Sequence, residues 1–446
     1  MKVRLIVIVA LGLFVSMVSP LAAASAPLDA ATLKRIEAIE PQVIAWRRDF
    51  HEHPELGNRE FRTSKIVAEH LKKLGLEVQT GVAHTGVVGL LRGGRPGPVV
   101  LLRADMDGLP VTEAVALPFA SKARAIFNDD EVGVMHACGH DTHVAILMGV
   151  ATVMAAMRKD ISGTVKFVFQ PAEEGAPIGE EGGAELMVKQ GVLENPKVDA
   201  AFGLHISAAL QAGKINWRPG GAYASVDDFR ILVKGRQAHG AYPWTGADPV
   251  VASAYIITAL QTVVSREMKL THNASVVTIG KITGGVRSNI IPAEVEMIGT
   301  LRALTPKDRA HLHDSVRRIA NNVAESLGTT VEVKIPMSHG YPVTFNNLAL
   351  ADEMRPVLDA VAGSDNVVSN PPVTGAEDFS FFAEKVPALY LGLGGRSPAI
   401  TEDQAPGHHT PTFQIDEQGL VLGVKALTAV TLSYLGTRSS EASITP

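Results

Sequence analysis

The first two hundred residues alternate between strand-like and helix-like patterns of hydrophobic positions. Short apolar runs bounded by glycine or proline indicate buried strands at residues 87–91, 99–102 and 164–169. Apolar residues recur at helical spacing over residues 63–74 and 144–157. This alternation predicts an α/β unit, a mainly parallel sheet sandwiched by helices, with ligand sites where loops leave the carboxyl ends of the strands.

The pattern changes near Pro219. Strand-like alternation then appears at residues 229–233, 275–282, 294–301 and 329–335, and helical spacing at residues 248–265 and 306–327. The resulting order, β-α-β-β-α-β, is typical of a ferredoxin-like α+β arrangement. A chain of 446 residues is long enough for two cores. We therefore predict a discontinuous larger domain, residues 27–218 and 337–437, with a smaller domain inserted at residues 219–336.

Residues 1–24 are predicted to be a secretory signal peptide. Lys2 and Arg4 precede an apolar stretch, and small residues around Ala24 suit cleavage. The alternative, an uncleaved membrane anchor, is disfavoured because the apolar stretch is shorter than the ~20 residues that a span needs. No later segment is expected to cross a bilayer. The mature protein is thus expected to be periplasmic or secreted, with no membrane contact.

Charge and cysteine content narrow the function classes. The formal net charge is −5, with acidic and basic residues interspersed, whereas a nucleic-acid-binding protein has a clustered basic face. The single cysteine, Cys138, excludes an intramolecular disulfide. A free thiol in an exported protein is open to oxidation unless it is buried or held as a thiolate.

Cys138 lies in the densest cluster of reactive residue types, residues 136–143, which read His-Ala-Cys-Gly-His-Asp-Thr-His. Thiolate, imidazole and carboxylate groups at the start of an apolar helix favour zinc or a related divalent metal. On the residues alone, a buried cysteine in a polar loop is the alternative.

Further candidates follow other predicted strands. Glu173 and Glu174 are adjacent in an extended or turning segment, so they point in different directions, and one could bind metal while the other acts as a base. A solvated acidic loop is the alternative. His205 follows a strand-like run, and His408 and His409 lie in a proline-rich loop; structural histidines are the alternative there.

Four motifs together resemble the M20 metallopeptidase family, and within it the amidohydrolase branch that includes hippurate hydrolases, N-acyl-amino-acid amidohydrolases and auxin-conjugate hydrolases. They are residues 103–110 (RADMDGLP), 135–141 (MHACGHD), 170–174 (QPAEE) and 375–379 (GAEDF). The likeness runs from about residue 44 to residue 435. It implies a zinc-peptidase-like catalytic domain, with the inserted domain acting as a lid and as the contact of a homo-oligomer.

The resemblance further implies two divalent ions, zinc first, with manganese, cobalt or nickel as alternatives. Their ligands would be Cys138, His140, Glu174, His205 and His409. His409 is preferred to His408 because residues 409–413 match the family pattern His-Ser/Thr-Pro-x-Phe. Glu173 would be the general base and Asp107 a carboxylate that orients a ligand. Cys138 would stand where related branches have a bridging aspartate.

In the inserted domain, the resemblance assigns oxyanion stabilisation to His239, in its own or the partner subunit. It assigns the substrate carboxylate to Asn289 and Arg302, for which a turn residue and a surface charge are the alternatives. The chain departs from many relatives at residues 205–209, His-Ile-Ser-Ala-Ala, which lack an aromatic–proline pair. This departure predicts a more open and less aromatic pocket wall.

The sequence therefore predicts a metal-dependent amidohydrolase that cleaves N-acyl amino acids or similar small amides, with Glu173 as base. A dipeptidase or carboxypeptidase with the same apparatus is the alternative. A cysteine hydrolase with Cys138 as nucleophile would leave the other predicted ligands unused. A catalytically silent binding protein would typically have lost a ligand or the base, and every one is present.

Overall fold

The computed structural model describes residues 28–337 and 340–442. The predicted signal peptide, residues 1–24, lies outside the described residues. The α-helices are α1 (Ala30–Glu52), α2 (Phe61–Lys73), α3 (His140–Ala156), α4 (Gly183–Lys189), α5 (Pro249–Thr262), α6 (Pro306–Ser326), α7 (Leu348–Ala362), α8 (Ser380–Ala383) and α9 (Leu420–Ala442).

The strands before the change of pattern are β1 (Glu77–Val82), β2 (Gly86–Arg92), β3 (Arg95–Asp105), β4 (Arg124–Phe127), β5 (Asp130–Gly133), β6 (Ser162–Gln170), β7 (Ala200–Gln211) and β8 (Ile215–Asn216). The later strands are β9 (Gly220–Tyr223), β10 (Asp227–Lys234), β11 (Ala238–His239), β12 (Ser275–Gly284), β13 (Ile290–Ile291), β14 (Glu294–Ala303), β15 (Thr330–Lys334), β16 (Thr344–Asn346), β17 (Val367–Val368) and β18 (Ala388–Arg396).

An eight-stranded sheet in the order β1-β2-β6-β3-β7-β18-β8-β17 is the centre of the larger unit. The neighbouring strands β6, β3, β7 and β18 are parallel. The strands β1 and β2 are antiparallel, as is the pair β8 and β18. The predicted mainly parallel sheet is therefore confirmed at its centre, whereas the antiparallel additions were not predicted.

Helices cover both faces of this sheet, as predicted. On β3, Val100 and Leu102 pack in one cluster with apolar residues of α1, α3 and α9. Leu101 points to the other face, where it packs with residues of α4 and α8. Because successive side chains of a strand alternate between faces, a strand buried on both sides has the continuous apolar run seen in the sequence.

The C-terminal helix corrects one expectation. The segment Glu417–Ser439 is long and apolar enough, by length and composition, to cross a membrane. However, 72% of its most apolar window is buried inside the structure, and it packs against α1, α3 and β3. It is therefore built as a core helix of the larger unit.

The smaller unit has the predicted order, β10-α5-β12-β14-α6-β15, and an antiparallel sheet in the order β12-β14-β10-β15. This is the ferredoxin-like arrangement. Its own apolar cluster includes Phe229, Ile256 and Leu312. The boundaries at residues 219 and 336 remain predictions.

The chain passes between the two units twice, and the two crossing segments are joined to each other. In β9 and β16, Tyr223 pairs with Thr344 and Gly220 with Asn346 in antiparallel register. A bridge between Val226 and Tyr341 continues this contact towards the smaller sheet. The two crossings thus form one ribbon, which we call the crossing ribbon.

Candidate metal centre

The candidate ligands lie at one edge of the large sheet. Asp105 ends β3 and pairs in register with Gln170, the last residue of β6. Asp107 and Glu173 follow these two strands directly. The strand β7 beside them contains His205. Parallel strands bring their carboxyl ends to the same edge, so residues distant in sequence converge here.

A glycine turn presents the two ligands of the cysteine motif. Gly139 is the N-cap of α3 with a φ of +93°, which side chains rarely tolerate. A Cβ atom at this position would lie 2.3 Å from the Cγ2 atom of Ile206. The turn places Cys138 before the helix and His140 in its first turn.

The five predicted ligands meet in two groups of three. One group comprises Cys138, His140 and His205, and the other comprises Cys138, Glu174 and His409. Within each group the candidate ligand atoms lie within 4.8 Å of one another. Cys138 belongs to both groups, which is the position that a bridging ligand requires.

The histidine hydrogen bonds leave ligand nitrogens turned towards the cluster. Nδ1 of His205 donates to the carbonyl oxygen of Ile206 at 2.6 Å, so its Nε2, 3.4 Å from Sγ of Cys138, is left with the lone pair. Nδ1 of His140 lies 3.2 Å from Oδ1 of Asp107, and its buried Nε2 has no hydrogen-bond partner among the described residues. Such outer hydrogen bonds are typical of metal-binding imidazoles.

Asp107 does more than the single orienting role predicted for it. Besides contacting His140, its Oδ1 accepts from the backbone N–H of Glu173 at 3.1 Å, and its Oδ2 accepts from that of Glu174 at 3.0 Å. One carboxylate therefore positions a histidine and both glutamates.

Glu173 belongs to neither of these two groups, but it forms two further groups of possible ligands, one with His140 and Glu174 and one with Glu377 and Asp378. Its Oε2 is 3.8 Å from Nε2 of His140, its Oε1 accepts from the backbone N–H of Asp378 at 3.4 Å, and its carbonyl oxygen accepts from the hydroxyl of Tyr341 at 2.8 Å. Burial, then Glu377 and Glu174, raises the pKa of Glu173 well above its usual range. Its carboxylate is thus placed to accept a proton.

His409 and His408 both face the thiol, and their contacts differ. Nε2 of His409 lies 3.2 Å from Sγ of Cys138 and 3.0 Å from Oε1 of Glu174. Nδ1 of His408 is 3.7 Å from the same sulfur, and its Nε2 accepts from the backbone N–H of Ala208 at 3.1 Å. His409 contacts two other candidate ligands, whereas His408 accepts a hydrogen bond from the backbone of strand β7.

The electrostatics of the cluster suit cations. Burial, then the carboxylates of Glu174 and Glu173, raises the pKa of the Cys138 thiol well above its usual range. Burial lowers the pKa of His140, but Asp105 and Asp107 outweigh it and raise the pKa to about 10. Both shifts report an excess of negative charge in a buried space. A thiolate, a carboxylate and three imidazoles form a donor set that fits two zinc-like ions.

Sequence reasoning assigned no role to a buried network beneath the ligands. The guanidinium of Arg103, fully buried, lies 2.6 Å from Asp105, 2.7 Å from Asp378 and 2.9 Å from Glu377. The Nε group of Arg103 also donates to Gln170 at 2.8 Å. The motifs 103–110, 170–174 and 375–379 contain these residues, but the motifs alone do not indicate that the residues contact one another.

Asp105 also contacts His143, and this contact was not predicted either. Nδ1 of His143 lies 2.5 Å from Oδ1 of Asp105, and Nε2 of His143 accepts from the backbone N–H of Ile206 at 2.8 Å. The other Asp105 oxygen is 3.7 Å from Nε2 of His140. His143 lies one helical turn after His140, a spacing that places both on one face of α3.

The predicted substrate residues are not in contact with this cluster. His239 and Asn289 are exposed and lie together, because β11 pairs with β13 and the backbone N–H of Gly240 donates to the carbonyl oxygen of Asn289 at 2.8 Å. Arg302 lies apart, partly buried on β14. Among the described residues, no hydrogen bond or ion pair joins any of the three to the predicted ligands.

Comparisons with known proteins agree with this geometry. The model of peptidase family M20/M25/M40 matches residues 101–433. Thermostable carboxypeptidase 2 of Saccharolobus solfataricus is 40% identical, over 90% of this chain and 97% of that protein. N-acetylcysteine deacetylase of Bacillus subtilis is 36% identical, over 86% of this chain and 95% of that protein.

A solved structure of a similar protein is described as binding metal. The Bacillus subtilis YXEP protein, described as a dinuclear metal-binding peptidase of family M20, superimposes with a TM-score of 0.74 and 32% identity, over 90% of this chain and 99% of that chain. The matched family, the fold and the converging donor set agree. The chain therefore belongs to peptidase family M20/M25/M40 and is a metal-dependent amidohydrolase.

Proposed function

We propose that this enzyme hydrolyses the amide bond of N-acyl amino acids, with Glu173 as the general base. The observation that carries the proposal is the position of Glu173, a buried carboxylate whose Oε2 lies 3.8 Å from Nε2 of His140 and which is not one of the five predicted ligands. The deacetylase relative acts, by its name, on an N-acetylated amino acid. Zinc is the proposed metal because a thiolate is among the ligands.

Two bound ions would lower the pKa of a water molecule and polarise the amide carbonyl. The protein's own part is proton transfer and positioning. Glu173 takes a proton from the attacking water and delivers it to the nitrogen of the leaving amino acid. Asp107 holds both Glu173 and Glu174 by their backbone N–H groups, which keeps the base and a ligand in fixed relation.

We place the amino-acid half of the substrate on the smaller unit, with Asn289 and Arg302 holding its carboxylate and His239 donating to the oxyanion. Because His239 is exposed and not in contact with the ligands, this role requires closure of the smaller unit or a partner subunit. Trp244 and Tyr242, which are 75% and 54% exposed beside it, favour a subunit contact. We therefore infer a homodimer, which sedimentation would detect as twice the chain mass.

The decisive experiment compares Glu173→Gln with the exposed control Glu131→Gln, each loaded with zinc, on N-acetyl-L-alanine. Loss of the base is expected to lower kcat by about 10²–10⁴-fold, with zinc content unchanged because the two triads remain. The control should behave as the wild type. Wild-type activity of Glu173→Gln would contradict the assignment. Removal of metal by a chelator should abolish activity and zinc should restore it; chelator resistance would instead support a cysteine hydrolase.

A carboxypeptidase is the second candidate, since a thermostable carboxypeptidase is 40% identical to this chain. The two activities share the site and differ in the group on the nitrogen. Comparing kcat/KM for N-acetyl-L-alanine with that for L-alanyl-L-alanine separates them. A preference for the dipeptide would replace the first proposal by the second.

We also propose that the protein is exported, on the basis of Lys2, Arg4 and the apolar stretch that follows. Fractionation of the producing cells, with N-terminal sequencing of the mature chain, tests this.

A further inference from the structure

A cavity of about 630 Å³ adjoins the metal centre. It is lined by His205, whose Nε2 lies 3.4 Å from Sγ of Cys138, and by Tyr390, whose hydroxyl donates to Glu377 at 2.7 Å. Its volume is in the range of small-molecule sites. A substrate bound at the metals could therefore extend one end into this space.

The wall beside His205 is made by the segment in which the chain departs from its relatives. Ser207 and Ala209 line the cavity. They lie in the segment 205–209, in which many relatives have an aromatic–proline pair. These small side chains add no aromatic ring to the wall, although Tyr223 and Tyr390 line the cavity elsewhere. A wall more open than in relatives stays a prediction.

Three cationic side chains line the same cavity: Lys214, Arg218 and Arg396. Each is partly buried. Among the described residues, the guanidinium of Arg218 donates only to the carbonyl oxygens of Gly221 and Asn370, at 3.0 and 3.1 Å. The guanidinium of Arg396 likewise donates to backbone carbonyls, those of Ala209 (2.9 Å) and Ile400. Carbonyl oxygens fix these groups in place and leave their charge unneutralised.

Lys214 has no side-chain partner among the described residues, and no carboxylate of that part of the chain lies within 4 Å of any of the three cations. The carboxylate in the lining belongs to Glu402, which is exposed on a short turn. The lining therefore carries three positive charges against one negative charge. Partly buried cations without counterions favour an anionic ligand, because Coulomb attraction is strong where water is partly excluded.

We propose that this cavity binds the acyl half of the substrate and that this acyl group carries its own carboxylate, as in N-succinyl amino acids. The inference rests on the proposed function, which assigns the amino-acid half to Asn289 and Arg302 and so leaves the cavity beside His205 for the acyl half. Lys214 is the specificity-determining residue, since its ammonium group is free to pair with the distal carboxylate.

The test measures kcat/KM of the zinc-loaded full chain for N-succinyl-L-alanine, N-acetyl-L-alanine and N-acetyl-L-glutamate. We expect N-succinyl-L-alanine to be preferred. The variant Lys214→Met should lower the succinyl-to-acetyl ratio by about tenfold, the order expected for the loss of one charge-assisted hydrogen bond. Lys214→Arg should largely keep the ratio. Lys334→Met, a matched change of an exposed lysine on β15 that does not line the cavity, should leave it unchanged.

An unchanged ratio in Lys214→Met would overturn the proposal, as would an effect confined to N-acetyl-L-glutamate, which would place the amino-acid side chain in the cavity. A second test uses the wild type and measures inhibition by free carboxylates. Succinate should inhibit at lower concentration than acetate, and equal inhibition would count against the assignment. Hydrolysis of N-acetyl-L-alanine without a succinyl preference refutes this inference alone. Hydrolysis of none of these amides refutes the proposed function as well.

Discussion

Replacing Arg103 by methionine would test how far the structure beneath the metal centre depends on one buried guanidinium. Methionine is uncharged and ends near the position of Nε, so the change removes the guanidinium and keeps only the packing of the aliphatic stem. Asp105, Glu377 and Asp378, all within 2.9 Å of the guanidinium, would keep their positions without a counterion. Asp105 in turn holds His143, so the disturbance would reach the ligand region.

The expected decrease in the free energy of unfolding follows from the burial of these ion pairs. Removing one partner of a buried ion pair costs about 3–5 kcal/mol. The loss of unfolding free energy is not three times larger because of the three acids, since a carboxyl group without a counterion can take up a proton. Burial, together with Glu377, already raises the pKa of Asp378 to about 7, although Arg103 lowers it. We therefore expect the free energy of unfolding of Arg103→Met to fall by about 3–5 kcal/mol.

Urea unfolding of the zinc-loaded protein, analysed by linear extrapolation, measures this change. The matched control is Arg92→Met: Arg92 contacts Glu77 at 2.7 Å, much as Arg103 contacts its partners, but the two side chains are 55% and 60% exposed. Its loss should cost no more than about 1 kcal/mol. The double variant Arg103→Met/Asp378→Asn should recover part of the loss. Equal effects of the two single variants would refute the argument from burial.

Two further predictions concern the glycine turn and the smaller unit. Gly139→Ala should lower the free energy of unfolding by about 2–5 kcal/mol, from backbone strain and overpacking against Ile206, and should weaken zinc binding measured by chelator competition; wild-type values of both would contradict the assigned turn geometry. Burial raises the pKa of Asp227, but hydrogen bonds with Arg309 and His313 outweigh it and lower the pKa to about 2. Because this folded-state pKa is below the unfolded value, the stability gain, about 2 kcal/mol, is present above pH 4 and is lost as the pH falls towards 2. Asp227→Asn should accordingly be less stable than the wild type at pH 7, with a difference that shrinks between pH 4 and pH 2; a constant difference would refute the linkage.

The candidate ligand segments could be singled out from the sequence because they combine residue types that rarely occur together without a metal. Cys138 and His140 before an apolar helix, and Glu173 and Glu174 after a strand, carry the chemistry in their own short motifs. The family resemblance then supplied the histidines. Their convergence in two triads is a property of the parallel sheet, which the strand patterns also predicted.

The buried network could not be predicted from the pattern. Arg103 and Asp378 are 275 residues apart, and a single arginine or aspartate is most often a surface charge. Only the fold shows that one guanidinium forms ion pairs with three carboxylates. The position of His205 was also wrong in detail, since it lies inside β7 and not after it. The apolar run ends at Leu204, but buried Ile206, Ala208 and Leu210 continue the strand by alternation.

The crossing ribbon has a consequence for the proposed base. Since its two strands are hydrogen-bonded to each other, the two chain crossings would move together in any displacement of the smaller unit. Tyr341, which bridges to Val226 there, also donates its hydroxyl to the carbonyl oxygen of Glu173. A displacement of the ribbon at Tyr341 would therefore reach the main chain of Glu173, the proposed base. The alignment of that carboxylate and the position of the smaller unit are thus linked through one tyrosine.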